Sequence, residues 1–227
     1  MNRAAFFDAI RPAFGGALSA SQVSGIEALL VAGKDLRLDH MAFVLANTRR
    51  ETGGQMSPIK ETVMPGHKDK NPSDAEVIRR LDRAFAEGKL KGVRAPYWRT
   101  GWFGRGQIQI THQENYRKFG ITDPTQAMHP EVSARIAVEG MRDGKFRGLK
   151  LDDYAFPESL FYPPDRNPRR IVNGNDGSDA EVAKYYHSFA AALSKAGWQA
   201  KPQMSSPPSA KTTSPKTDWV ARLLGWL

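Results

Sequence analysis

Three times along this chain a serine is followed three residues later by Gln or Glu, then by apolar residues at helical intervals, and each run closes at a glycine. Ser19 and Gln22 lead into Val23, Ile26, Leu29, Leu30 and Gly33. Ser73 and Glu76 lead into Val77, Ile78, Leu81, Phe85 and Gly88, and Ser178 and Glu181 into Val182, Tyr185, Tyr186, Phe189, Leu193 and Gly197. This is capping-box spacing, in which the serine oxygen accepts an amide hydrogen that the first helical turn leaves unpaired. Two more helices are predicted. One starts near Asp39, turns Met41, Val44, Leu45 and Thr48 to one side and stops at Gly53-Gly54; the other has Pro130 in its first turn and runs through Val132, Ile136 and Met141 to Gly144. The chain is therefore expected to be mainly α with at most a small sheet, for which Gln107–Thr111 is the best extended candidate.

A length of 227 residues supports one substantial domain with a tail. With no cysteine there is no disulfide framework, thiolate nucleophile or cysteine-based metal site. The net charge of +9 favours anionic partners such as nucleic acid, an acidic membrane surface or a bacterial wall, without choosing among them. Asp8, Arg11 and Pro12 interrupt the N-terminal stretch where a secretion signal would be continuously apolar. Nothing approaches the roughly 18 apolar residues of a membrane span, so synthesis in the cytoplasm is expected.

The predicted organisation is a catalytic domain over residues 1–200, a Pro/Ser/Thr/Lys linker over 201–217 and an amphipathic tail over 218–227. The tail carries Trp219, Val220, Leu223, Leu224, Trp226 and Leu227. It reads as an interfacial anchor, a docking helix or a terminus resting on the body. A loop from Thr62 to Asn71 reads as a flap between two helices.

Tyr97 to Tyr116 is the stretch richest in contact chemistry. Tyr97, Trp98, Trp102 and Phe103 surround two glycines and Arg105, and Gln107, Gln109, Thr111 and Asn115 follow among Ile108 and Ile110. Aromatic faces suit the apolar faces of sugar rings, while amides and hydroxyls suit their edges; a core strand with aromatic neighbours would have the same composition. Other chemistries lack their motifs. There is no nucleophile elbow and no phosphate loop, and Gln109 stands where a dinucleotide turn needs its third glycine. The five histidines never pair at helical spacing, so neither metal nor other cofactor is expected. Carboxylate chemistry is left. Glu51 lies on the last turn of its helix, where the dipole disfavours an acid, and Glu61 follows ten residues on, across a Gly-Gly turn and Pro58. Such a pair facing across a cleft is what glycosidic hydrolysis uses, one carboxyl giving a proton to the leaving oxygen and the other acting on water or sugar.

Glu51-Thr52-Gly53-Gly54, the run from Gly104 to His112 with Asn115-Tyr116, and Ile171-Val172-Asn173-Gly174 together resemble glycoside hydrolase family 19, which contains plant-type chitinases and the lysozyme-like endolysins of bacteriophages. The resemblance spans roughly residues 3 to 198 and is nearest to the short phage and prophage form. It implies a lysozyme-like α-helical domain with a small β element beside the substrate cleft, and a single-displacement, inverting mechanism. By the same resemblance Glu51 is the general acid and Thr111 helps hold the attacking water. Gln109, Asn115 and Asn173 match sugar-contacting positions, joined by Tyr97, Trp98, Trp102 and Arg105 as substrate-binding candidates from the aromatic lead-in. Glu61 is the choice for the base, with Asp69, Asp74 and Glu76 in reserve. Arg50 stands where the family often has histidine, and is expected to point away from the acid.

The expected partner is a glycan, peptidoglycan or chitin-like, since both carry β-1,4-linked N-acetylglucosamine. Small size, basic charge and phage-type spacing favour peptidoglycan, reached after release through a holin-type pore or lysis. A monomer is expected. The rival readings are a chitinase, a non-catalytic wall or glycan binder, and a nucleic-acid binder; the last is disfavoured because the aromatics come with Gln, Thr and Asn rather than interleaved lysines.

Overall fold

The computed structural model describes residues 1–61, 69–90, 92–174 and 176–199. Its axis is a helix that is buried on every side. Of the helix Leu38–Glu51, here α3, every residue from His40 through Thr48 is buried, so the one-sided stripe expected there understates its surroundings. Asp39 in its first turn accepts from the Arg37 guanidinium and the His40 amide, and Gly54 closes the other end by donating to Arg49 O at 2.8 Å.

Around α3 stand α1 (Arg3–Ile10), α2 (Ala20–Ala32), α6 (Pro130–Arg142) and α7 (Asp179–Lys195). The main packing pairs are α3 with α7, α1 with α7 and α2 with α6. Helix α2 has both halves of its expected capping box, Ser19 Oγ accepting from Gln22 N and Gln22 Oε1 from Ser19 N. For α4 (Asp74–Ala86) only the serine half forms, because the Glu76 carboxylate is held by Arg79 and Arg80. The box expected at Ser178 is absent: its hydroxyl is drawn into a buried arginine cluster, described below, and Glu181 meets Tyr185 and Arg50 instead. Helix α1 lay outside the sequence expectations. Asn2 Oδ1 caps it at Ala5 N, and Phe6 and Ile10 enter the main core.

A smaller lobe stands against this body. Helix α4 with Trp98 and Phe103 encloses one apolar cluster, and α5 (Gln113–Arg117) with Phe119, Ile121 and Ile136 another. Between them runs a two-stranded antiparallel sheet, β1 (Ile59–Lys60) with β2 (Arg105–Gly106), pairing Ile59 with Gly106 and Lys60 with Arg105. The strand expected at Gln107–Thr111 is instead a tight return. Arg105 and Ile110 exchange backbone hydrogen bonds of 3.2 and 3.0 Å, and Gln109 takes φ 54°. Gln107 pins this return to the body: its backbone amide donates to Ser133 Oγ at 2.7 Å, and its side-chain amide to Gly25 O and Met56 O.

The fold is thus mainly α, with one small two-stranded sheet among the described residues. Among the described residues no helix is long and apolar enough to cross a membrane. The linker, the tail and most of the expected flap (62–68) lie outside the described residues.

Candidate active site

Glu51 and Glu61 line one cleft of about 330 Å³ together with Gly104, Ile108, Gln109, Thr111, Val172 and Asn173. Four separate sequence stretches meet there, the last being Val172-Asn173. Glu51 comes from the end of α3, Glu61 from just beyond β1, and Thr111 from the return after β2. A second hollow of about 230 Å³ continues the first, sharing Ile108, Gln109, Thr111 and Val172 and adding Ile110, Asn115, Phe146 and Arg147.

Glu51 is held from below by Arg169. This arginine is 1% exposed and spends its whole fork inside: Nε donates to Ser178 Oγ at 2.9 Å, Nη1 to Asn47 Oδ1 at 2.8 Å, and Nη2 to both Glu51 Oε1 and Asp176 Oδ2. The planar guanidinium suits such a multi-acceptor site in a way that a lysine would not. Burial opposes the charge on Arg169, but Glu51 and Asp176 outweigh it and push the guanidinium's pKa up. Burial would likewise raise Asp176, yet the hydrogen bonds from Arg169 and Ser178 and the adjoining positive charge bring it down to about 2. Because Arg169 is shared between two carboxylates, its charge is only partly committed to Glu51. Arg50 does face away from the site: its Nε lies 3.0 Å from Glu181 on α7.

Both oxygens of Glu61 accept hydrogen bonds, Oε1 from the Tyr97 hydroxyl at 2.6 Å and Oε2 from Gly104 N at 2.7 Å. A backbone bond from Glu61 N to Gly104 O at 2.7 Å fixes the same pair from behind. Burial, followed by the Glu61 charge, pushes Tyr97 far above its ordinary value, so its proton stays in place as a donor to the carboxylate. Glu61 is oriented; Glu51 is oriented by a different element.

The other expected residues divide. Gln109 reaches the cleft, but its Nε2 is used on Ile59 O and Gly106 O, both at 2.9 Å, which leaves Oε1 for a ligand. Asn173 lines the cleft beside Asp176, and Asn115 lines the second hollow while donating to Thr111 O at 2.9 Å. Tyr97 contributes its hydroxyl to Glu61 rather than an open ring face.

Trp98 and Arg105 are not available to a substrate. Trp98 is fully buried against Val77, Leu81 and Phe103 and donates to Asp82 at 2.8 Å. Arg105, 1% exposed, stacks 3.7 Å over Phe103 and donates to Asp74 Oδ2 and Gly101 O. Trp102 packs on Tyr116 with ring centroids 5.1 Å apart and lines neither hollow. These aromatics build the small lobe instead of a sugar platform; a core and a sugar site draw on the same residue types. The reserve acids are also spoken for. Asp74 pairs with Lys60 and Arg105, Glu76 with Arg79 and Arg80, and Asp69 accepts from Asn71 N. None of them lines the cleft.

Sequence reasoning missed Arg169, Asp176 and Asn47. No local signal singled out the first of these: Arg169 is one of two adjacent arginines, Arg169-Arg170, and only the fold buries the first and leaves the second half-exposed. Among the described residues no group of three or more His, Asp or Glu side chains could hold a metal ion.

No family model matches the chain, and no curated protein matches it. Among solved structures, chitinase C from Streptomyces griseus is similar at 19% identity and TM-score 0.49, over 90% of this chain and 79% of that one. A mutant of chitinase C is similar at 19% identity and TM-score 0.46, over 91% and 97%.

Proposed function

We propose that the chain is a glycoside hydrolase that cleaves β-1,4 bonds of an N-acetylglucosamine-containing glycan, with peptidoglycan as the substrate, as an endolysin does. One observation carries the reading: Glu51 and Glu61, oriented independently, share a single cleft with Thr111. In this mechanism Glu51 protonates the leaving oxygen. Glu61 draws a proton from a water that attacks the anomeric carbon from the opposite face, with Thr111 helping to hold that water, and the anomeric configuration inverts. Tyr97 and Gly104 keep the base carboxylate aimed while it acts.

The resemblance to glycoside hydrolase family 19 supports this assignment of roles, residue by residue, at Glu51, Thr111, Gln109, Asn115 and Asn173. Chitin presents the same bond to the same chemistry, so a chitinase is the second reading. The reading includes a catalytic unit over residues 1–200, a linker over 201–217, and a tail over 218–227 that contacts a membrane. It also includes action at the bacterial wall by a monomer released through a holin-type pore or by lysis.

The test is turbidity loss of purified peptidoglycan, with chitin oligosaccharides in parallel, for the wild-type chain and Glu51→Gln. The amide keeps the shape and removes the transferable proton, and a rate loss of at least about a hundredfold is expected. Activity on chitin oligomers alone would move the substrate to chitin. Full activity of Glu51→Gln would remove the acid assignment.

A further inference from the structure

The second hollow contains an unmatched positive charge. Arg147 lines it, is exposed, and makes no ion pair or hydrogen bond among the described residues. Its neighbours behave differently: Arg135 and Lys145 pair with Glu139, and Arg142 pairs with Asp143. Arg147 is also mounted on a rigid turn. After α6, Lys145 N donates to Gly140 O at 3.0 Å and Gly148 N to Gly144 O at 2.8 Å; Gly144 and Gly148 take φ 71° and 80°. Between them the half-buried Phe146 packs against both apolar cores, its ring 5.7 Å from that of Phe119. It lies so close to α6 that a Cβ on Gly140 would come within 2.0 Å of the ring. The turn therefore presents Arg147 at the cleft from a fixed anchor.

The charge balance gives this position a purpose. The adjoining cleft carries Glu51 and Glu61, with Asp176 behind them, against the buried Arg169. A neutral N-acetylglucosamine polymer is indifferent to that field. A glycan bearing carboxylates is repelled by it unless a cation stands further along the groove. We propose that Arg147 is a specificity residue that binds a carboxylate substituent of the glycan, selecting a muramyl-type strand over a neutral one. A guanidinium can take such a carboxylate through two parallel hydrogen bonds. The carboxylate has two sources in peptidoglycan: the lactyl ether, once its peptide is removed, and the stem peptide itself. This inference rests on the glycosidase reading and sharpens it.

The experiment compares kcat/KM on three chemically defined fragments: a stem-bearing peptidoglycan strand, the same strand stripped of its peptides, and an N-acetylglucosamine oligomer. Wild type is measured beside Arg147→Gln, Arg147→Glu and Arg147→Lys. Arg147→Gln is expected to reduce the preference for carboxylate-bearing over neutral fragment about tenfold, mainly through KM. Charge reversal should reduce it further, lysine should restore part of it, and added salt should weaken the wild-type preference. Preference for the stripped strand would identify the lactyl carboxylate, and preference for the stem-bearing strand the peptide; either supports the inference. An unchanged preference in Arg147→Gln, with the variant folded as judged by its melting curve, would overturn it while leaving the hydrolase reading intact. Binding of the same fragments to Glu51→Gln, with and without Arg147→Gln, separates the two ideas. If wild type cuts nothing, an Arg147-dependent preference in binding still upholds carboxylate recognition, and its absence overturns that too.

Discussion

Arg169 donates from one guanidinium nitrogen to Glu51 although 118 residues separate them, and the pair ties the end of the central helix to the segment that precedes α7. The catalytic candidate is thereby held by a group that is itself almost wholly buried. Orientation of the acid and stability of the fold become one problem at this residue.

Replacing Arg169 by alanine is expected to destabilise the protein by about 3–5 kcal/mol, the usual cost of breaking a buried charge cluster from one side. It strands Asn47, Ser178, Glu51 and Asp176 together. Arg169→Lys keeps the charge but not the fork, and should fall between alanine and wild type. Urea denaturation of the three proteins checks the order.

Acid should loosen the same cluster. Asp176 ionises at about 2 in the folded protein, against 3.8 as its ordinary value. A depressed carboxylate adds stability above its unfolded value and loses it as pH falls through the folded one. Its share is therefore complete above roughly pH 4 and lost toward pH 2. Melting temperature followed across this window should drop more steeply for wild type than for Asp176→Asn, which lacks the titrating group. Equal slopes would refute the assignment.

Tyr97→Phe removes one of the two donors that aim Glu61 and leaves Gly104 N in place. A hydrogen bond to a charged group is worth about 1.5–3 kcal/mol, so kcat should fall about tenfold or more if that energy serves to place the base. KM should move less. Steady-state kinetics on the fragment that wild type cuts best will separate the two.

Gly25 on α2 packs against the strand-leading segment so closely that an added Cβ would lie 2.2 Å from Met56 O. The obstacle is backbone and cannot swing aside. Gly25→Ala should cost about 1–3 kcal/mol or more, and should also disturb the Gln107 bonds to Gly25 O and Met56 O that hold the small lobe to the body. Both melting temperature and activity are expected to fall.

Trp98→Phe tests the reassignment of the aromatic stretch. It breaks the bond to Asp82 and trims a buried ring, so stability should drop by about 1–3 kcal/mol. KM for glycan should stay near that of wild type, since the ring does not line the cleft and meets the site only through its edge contact with Tyr97. A large KM change with unchanged stability would return Trp98 to the binding surface.

The helices were written in local chemistry. Ser19 with Gln22, Pro130 in a first turn, and Gly33, Gly53-Gly54 and Gly88 at ends act within a few residues of themselves, so their effect can be read from a short window. Glu51 was legible for a related reason: an acid on a last helical turn breaks a local rule, and the breach is visible without knowing what lies opposite. That Glu51 and Glu61 face one cleft was an expectation from their spacing, and the place of Thr111 beside them one from motif resemblance; the fold brings all three to one cleft.

Local chemistry was silent wherever one residue type can serve two ends. Trp98, Trp102 and Arg105 have the composition of a sugar platform, and only their packing partners make them a lobe core. Ser178 has the spacing of a cap, but Arg169 and Asp176 compete for its hydroxyl, and a buried guanidinium outbids a helix end that water can also satisfy. The partners of Arg169 lie as far off as Asn47, 122 residues away, and the partner of Glu61 at Gly104 is 43 residues on. The sequence by itself determined the five long helices with legible caps and ends, though not α1 or the short α5, and which acid sits out of place. Tertiary structure alone decided which side chains are buried together, because burial and long-range hydrogen bonding depend on what the rest of the chain brings alongside.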